Sequence, residues 1–207
     1  MLRLLLIRHG VTEWNQAGRL MGRMAIGLAP EGRAQIERLA NALAGVSVDA
    51  IICSPQQRTQ ETAAIVAMPH AMTVQTDAAL DEVWLGPRWQ GKTFADIRDD
   101  PDFIALRANA LYACEGIEPI ERVQQRMVEA LDRIRADRKK GTIAMVSHGD
   151  PLRALLVHLL SMSLSEYRRL TVNTGSVSVI ELHDDLPRLL AMSWKPEDAL
   201  DRALAAT

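Results

Sequence analysis

The sequence predicts an α/β fold, a three-layer arrangement with helices on both faces of a mostly parallel central sheet and an antiparallel edge strand. Two observations carry this. Short apolar runs recur at 2–7, 49–53 and 142–147, the pattern of strands buried on both faces. Between them lie longer segments whose apolar residues recur at helical spacing. No internal repeat, linker or low-complexity tract interrupts the alternation, so residues 1–207 read as one domain.

The elements follow in order. Residues 2–7 form a buried strand that ends abruptly in Arg8-His9-Gly10. Residues 30–46 carry Ile36, Leu39, Ala40 and Leu43 on one helical face and begin at Pro30, a residue suited to a first turn. The strand at 49–53 closes on Ser54-Pro55, and 57–68 reads as a helix. Residues 72–76 give a short third strand. The segment 80–92 mixes Trp84, Trp89, two glycines and a proline, which is loop composition. Helices are expected at 100–113 and at 120–136, the latter with Val123, Met127, Leu131 and Ile134 on one face. The strand 142–147 runs into His148-Gly149, and 151–160 is the next helix. Two last strands, 176–182 and 189–194, flank a turn over His183-Asp184-Asp185-Leu186-Pro187 and supply the antiparallel edge.

Composition excludes several classes. A formal net charge of -2 with no basic run argues against nucleic acid and membrane-surface partners. Hydrophobic residues make up 48% and charged residues 24%, ordinary for a soluble globular chain. A chain of this size buries roughly 70% of its unfolded surface, so it needs no metal or disulfide staple. Cys53 and Cys114 form neither a CxxC pair nor a metal-ligand spacing and read as buried thiols. The apolar start is too short for a signal-peptide core, and no apolar run reaches the roughly 18 residues of a membrane span. The cytoplasm is the default expectation.

In an open α/β sheet, ligands bind beyond the carboxyl ends of the strands. Here those ends carry Arg8-His9, Ser54 with Arg58 just beyond, and Ser147-His148, so titratable groups from distant positions are expected at one rim.

Taken singly, Arg8-His9-Gly10 is a weak motif. It is followed by Thr12-Glu13-Trp14-Asn15, by Ser54-Pro55-Gln56-Gln57-Arg58-Thr59-Gln60-Glu61-Thr62-Ala63, by Leu80-Asp81-Glu82 with Gly86 and Trp89-Gln90-Gly91, and by Val146-Ser147-His148-Gly149. In this order and at these intervals the set resembles the histidine phosphatase superfamily, the branch with the Arg-His-Gly motif, whose fold group includes the cofactor-dependent phosphoglycerate mutases. The resemblance spans residue 4 to about residue 180.

The resemblance implies roles. His9 is the nucleophile, forming a covalent phosphohistidine; an imidazole is neutral and nucleophilic near pH 7. Arg8, Arg58 and His148 clamp the phosphoryl group, whose charge spreads over three oxygens in transit. Glu82 is the general acid and then base, with Asp81 its obvious rival and Glu13 a weaker one. Asn15, Gly149, Arg19 and Gly22 are substrate contacts or line the pocket mouth. Trp84, Arg88 and Trp89 stand near the leaving group, although core packing explains the tryptophans equally. Asn173 is structural. No cofactor or metal is implied. The partner is a small phosphorylated metabolite, and the family's monomers, dimers and tetramers leave homo-oligomers open.

The chain departs from the family pattern in three stretches. Ala25, Gly27 and Ala29 stand where Asp, Pro and Thr are common, and the missing Thr removes a helix cap that contributes about 1 kcal/mol. Gly116-Ile117-Glu118-Pro119 replaces a Gly-Glu-Ser run, Pro87 lengthens the segment after Glu82, and Glu118 reads as a helix-entry residue. Mutases of the family carry a Tyr-Gly pair, a lysine and tandem arginines after the acid. This chain has Leu85-Gly86, Lys92 and a lone Arg107, and Arg168-Arg169 comes too late to match. A phosphomonoester phosphatase is therefore the expected activity. A phosphoglycerate mutase is the alternative, and a catalytically inactive binding domain is the remote one.

Overall fold

In the computed structural model, which describes residues 1–183 and 186–197, six strands form one sheet: β1 (Leu2–Arg8), β2 (Ala50–Cys53), β3 (Val74–Thr76), β4 (Gly141–Ser147), β5 (Val177–Leu182) and β6 (Pro187–Trp194). Their order is β3-β2-β4-β1-β5-β6. The first four in that order are mutually parallel, and β5 runs antiparallel to both β1 and β6. The helices are α1 (Glu13–Gln16), α2 (Pro30–Leu43), α3 (Gln57–Ala67), α4 (Gly86–Trp89), α5 (Phe94–Ile97), α6 (Pro101–Ala108), α7 (Ile120–Asp137) and α8 (Gly149–Leu159).

Alternation along the strands creates the three layers. Leu4 and Leu6 of β1, with Ile143 and Met145 of β4, pack among Met127 and Leu131 of α7 and Leu152, Leu155 and Leu156 of α8. Leu5 and Ile7, with Ala144 and Val146, face the other way, onto Ile36 and Leu39 of α2 and Ala63 and Val66 of α3. Successive side chains of a strand point to opposite faces, so an unbroken apolar run is what a doubly covered strand requires. A smaller core lies beside α7 and α8, where Trp89, Phe103 and Ile117 meet Val123, Ala154 and Tyr167. It seats the segment that follows Glu82.

Several elements differ from the sequence expectation. Helix α6 is shorter than 100–113: Asp100 caps it by accepting from the amides of Asp102 and Phe103, and Asn109 leaves helical geometry. The segment 80–92 contains the helical turn α4. Helix α8 starts at Gly149, with Pro151 inside its first turn, where no intrahelical donor is lost. Ala29 does cap α2 without a side-chain bond, as the missing Thr implies. Of the turn expected at 183–187, Asp184 and Asp185 lie outside the described residues. Both cysteines are free and buried, and burial pushes the Cys53 thiol up to about 11. Among the described residues, no helix is long and apolar enough to cross a membrane.

Candidate active site

The sheet register assembles the site. Arg8 lies beside Ser147 and Cys53 beside Val146, so the next residues, His9, His148 and Ser54, emerge together at one rim. The His9 amide donates to the Ser147 carbonyl at 3.1 Å and the Ser54 amide to the Val146 carbonyl at 3.0 Å. The rings of His9 and His148 meet edge to face, with centroids 5.3 Å apart. Chain reversal after His9 depends on a close backbone crossing. A Cβ on Gly10 would stand 2.6 Å from the Gly32 carbonyl oxygen, and one on Gly32 would stand 2.0 Å from that of Val11.

His9 is 1% exposed, and its Nδ1 lies 2.8 Å from the Gly10 carbonyl oxygen. A carbonyl only accepts, so Nδ1 carries the proton and the Nε2 lone pair is free. Burial, then the charges of Arg8 and Arg58, hold the ring well below the usual histidine range, and it is neutral.

Two guanidinium groups flank it. Arg8 donates Nη1 to the Val172 carbonyl at 2.7 Å. Arg58 is fully buried and donates Nη2 to the Gly22 carbonyl at 2.8 Å and Nη1 to that of Met24 at 3.0 Å. The Nε groups of both are buried without a partner. Gly149 stands against Arg8: a Cβ there would lie 3.4 Å from the Arg8 Cζ.

His148 is oriented from behind. Its Nε2 lies 2.9 Å from Ser54 Oγ, and that hydroxyl donates to Asp81 Oδ1 at 2.9 Å. With its hydrogen given to Asp81, Ser54 Oγ receives the proton of His148 Nε2. His148 Nδ1 is therefore the atom turned to the site. It is buried without a hydrogen-bond partner, 4.0 Å from Glu82 Oε2. Burial, and next the Arg58 charge, depress His148 well below its ordinary value, which favours the neutral ring. An anion placed beside Nδ1 would favour its protonation.

Asp81 and Glu82 separate cleanly. Both Asp81 oxygens face inward, one toward Ser54 and the other 3.4 Å from Arg23 Nε. Glu82 borders the open cleft instead. Burial, then the Asp150 carboxylate, push its carboxyl up to about 7 against the pull of Arg58 and Arg8. The strap that carries Glu82 is braced. Arg23 Nε donates to the Glu82 carbonyl at 2.9 Å, and Arg126 Nη1 donates to that of Ala79 at 2.7 Å. Both arginines are held by Glu118, at 2.8 Å from Arg23 and 2.9 Å from Arg126. Glu118 is a helix-entry residue, as expected, and also the keystone of this brace.

Arg8 and Glu82 border a cleft of about 220 Å³, which Asn15, Arg19, Gly22 and Asp150 also line, while His9, Arg58 and His148 are buried beneath it. A family model described as the histidine phosphatase superfamily (branch 1) matches residues 4–195. The chain belongs to the histidine phosphatase superfamily. Within it, the chain is 29% identical to phosphoserine phosphatase 1 of Hydrogenobacter thermophilus, over 89% of this chain and 88% of that one. It is 30% identical to a probable phosphoglycerate mutase of Yersinia pestis, over 98% and 94% of the two chains. The solved structure of a mycobacterial glucosyl-3-phosphoglycerate phosphatase, in complex with VO3, superposes with a TM-score of 0.85 at 27% identity, covering 92% of this chain and 98% of that one.

In this superfamily member, Arg8, His9, Arg58, Glu82 and His148 lie together at the rim. Asn15 borders the cleft while its side-chain oxygen accepts from the amide and hydroxyl of Thr12, capping α1. Arg19 is exposed and donates to the Gly91 carbonyl. Gly22 contributes its carbonyl to Arg58. Trp89 is buried in the satellite core and donates to Asp100, whereas Trp84 is exposed. Arg88 is turned away, paired with Asp100 and Asp102. The amide of Asn173 donates to Ser193, a structural role. Sequence reasoning missed Asp150, although it directly follows His148-Gly149. It also missed the Ser54–Asp81 relay and the cleft residues Leu85 and Phe94.

Proposed function

We propose that this enzyme is a phosphomonoester phosphatase that works through a phosphohistidine on His9. The observation that carries the reading is the set of buried nitrogens left open around a neutral His9: Arg8 Nε, Arg58 Nε and His148 Nδ1. The two Nε–H groups are buried donors without partners, which is costly, and a phosphoryl group supplies oxygens for them; His148 Nδ1 joins them as a donor once it takes up a proton with the arriving anion. His9 Nε2 attacks phosphorus and forms the N–P bond as the ester P–O bond breaks. Glu82, raised toward neutrality, gives its proton to the departing alkoxide. Water then attacks phosphorus, the N–P electrons return to Nε2, and the Glu82 carboxylate takes the water's proton. Arg8, Arg58 and a His148 that becomes protonated at Nδ1 meet the charge on the equatorial oxygens. Asn15, Arg19, Gly22 and Gly149 shape the mouth and seat the clamp. The substrate is a small phosphorylated metabolite.

A mutase reading is favoured by the mutase-named relative. The walls of the cleft speak against it, because Leu20, Met21, Val83, Leu85 and Phe94 face the ligand where a wholly hydrophilic bisphosphate needs cations. The test follows p-nitrophenyl phosphate, and separately 3-phosphoglycerate with 2,3-bisphosphoglycerate. Phosphate release without isomerisation is expected; rapid isomerisation with little release assigns the mutase.

A further inference from the structure

Against the cleft, across Leu85 and Phe94, lies a second cavity of about 430 Å³. The two share Leu20, Leu85, Phe94 and Asp150 as common wall. The second cavity is apolar along its length, where Trp89 and Phe103 meet edge to face with centroids 5.7 Å apart and Leu106 continues the wall. Phe94 stands at the junction with 56% of its surface exposed, a large apolar side chain that the protein leaves uncovered.

The far side is cationic. Arg107, Arg153 and Arg168 border the cavity against one carboxylate, Asp150, which Arg153 already engages at 2.8 Å. Arg168 is held by the Leu106 carbonyl and the Tyr167 hydroxyl, with no carboxylate partner among the described residues. Arg107 lies 6.0 Å from the Phe103 ring centroid and has no hydrogen bond or ion pair among the described residues.

We propose that this cavity is the leaving-group subsite, and that it takes an alcohol with an apolar, ring-sized body ending in a carboxylate, which Arg107 holds. The inference rests on the phosphatase reading. It follows from position and chemistry together. A phosphate gripped by Arg8 and Arg58 has its ester oxygen beside Glu82, and the adjoining cavity shares Leu85 and Phe94 with the cleft that Glu82 borders. An apolar body gains by covering Phe94, the exposed ring of this wall. A terminal anion finds an arginine with no competing carboxylate. A polyhydroxylated sugar satisfies neither end.

The test compares 2-naphthylmethyl phosphate, its 6-carboxylate derivative and glycerol 1-phosphate. All three release alkoxides, so intrinsic reactivity is similar. Wild-type kcat/KM should rise about tenfold from glycerol 1-phosphate to the naphthylmethyl ester, and about fivefold more with the carboxylate. In Arg107→Gln, with its fold checked by circular dichroism, the carboxylate advantage should collapse to near unity. Calorimetric binding of the two naphthyl alcohols to both proteins reads the same preference without turnover. If no phosphoester is hydrolysed while the carboxylated alcohol still binds in an Arg107-dependent way, the phosphatase reading fails and the subsite stands. Glycerol 1-phosphate matching the naphthylmethyl ester, or a carboxylate advantage equal in wild type and Arg107→Gln, overturns the proposal.

Discussion

The Nδ1–H of His9 donates to the carbonyl of its own neighbour Gly10 at 2.8 Å, and this single contact selects Nε2 as the reactive nitrogen. The turn that makes the contact exists because Gly10 and the chain at Gly32 cross without side chains between them. Gly10→Ala forces a Cβ to within 2.6 Å of the Gly32 oxygen and 2.9 Å of Ile36 Cγ1. A loss of about 2 kcal/mol in unfolding free energy is expected, together with a fall in kcat larger than any rise in KM. Chemical denaturation and steady-state kinetics measure the two.

Glu82 sets the pH dependence. Burial, and next the Asp150 carboxylate, push its carboxyl up to about 7 from the ordinary value of 4.5. The protonated form is the donor, so for alkoxide leaving groups kcat/KM should fall as pH rises through about 7. p-Nitrophenolate leaves without a proton, so its kcat/KM should show this limb weakly. In Glu82→Gln the limb should vanish, with activity on alkoxide esters lowered by about 10²–10⁴-fold. The sign for stability follows from the raised value: the folded state binds the proton more tightly, so this group's contribution declines between pH 4.5 and about 7. Glu82→Gln should lack that decline in denaturation experiments across the same interval.

Ser54 couples Asp81 to His148. Ser54→Ala removes the acceptor of the buried Nε2–H and the donor to Asp81, which should cost about 1–3 kcal/mol of stability. It should also weaken vanadate binding, because His148 must charge at Nδ1 when an anion arrives, and it charges less readily with Nε2 unsupported. Titration with vanadate, monitored by inhibition, reads the second effect.

Glu118 acts at a distance from phosphorus. Glu118→Ala leaves Arg126 and Arg23 without their shared carboxylate in a half-buried setting, which should destabilise the fold by about 3 kcal/mol. Because both arginines hold the Glu82 carbonyl, the pH limb near 7 should also move. A purely structural brace would change stability and leave the profile in place.

The fold was legible where physics is local. Apolar runs in β1, β2 and β4 announced doubly covered strands, and α2 and α7 announced themselves by spacing. The end of α6 was not legible, because the chain turns extended at Asn109 with no break in composition to announce it. Of the site, the residues at strand ends could be read directly, since parallel register brings such ends together. Ser54–Asp81–His148 and Arg23–Glu118–Arg126 could not: each joins residues far apart in sequence, and their types are common on surfaces.

The most direct test of the account is rapid acid-free quenching of the enzyme during turnover, followed by mass mapping and phosphorus–proton correlation NMR of the trapped protein. A single phosphoryl group on His9, bonded through Nε2 and absent from His9→Ala, is the predicted result. Phosphorylation at Nδ1 or on His148, or full turnover by His9→Ala, would contradict it.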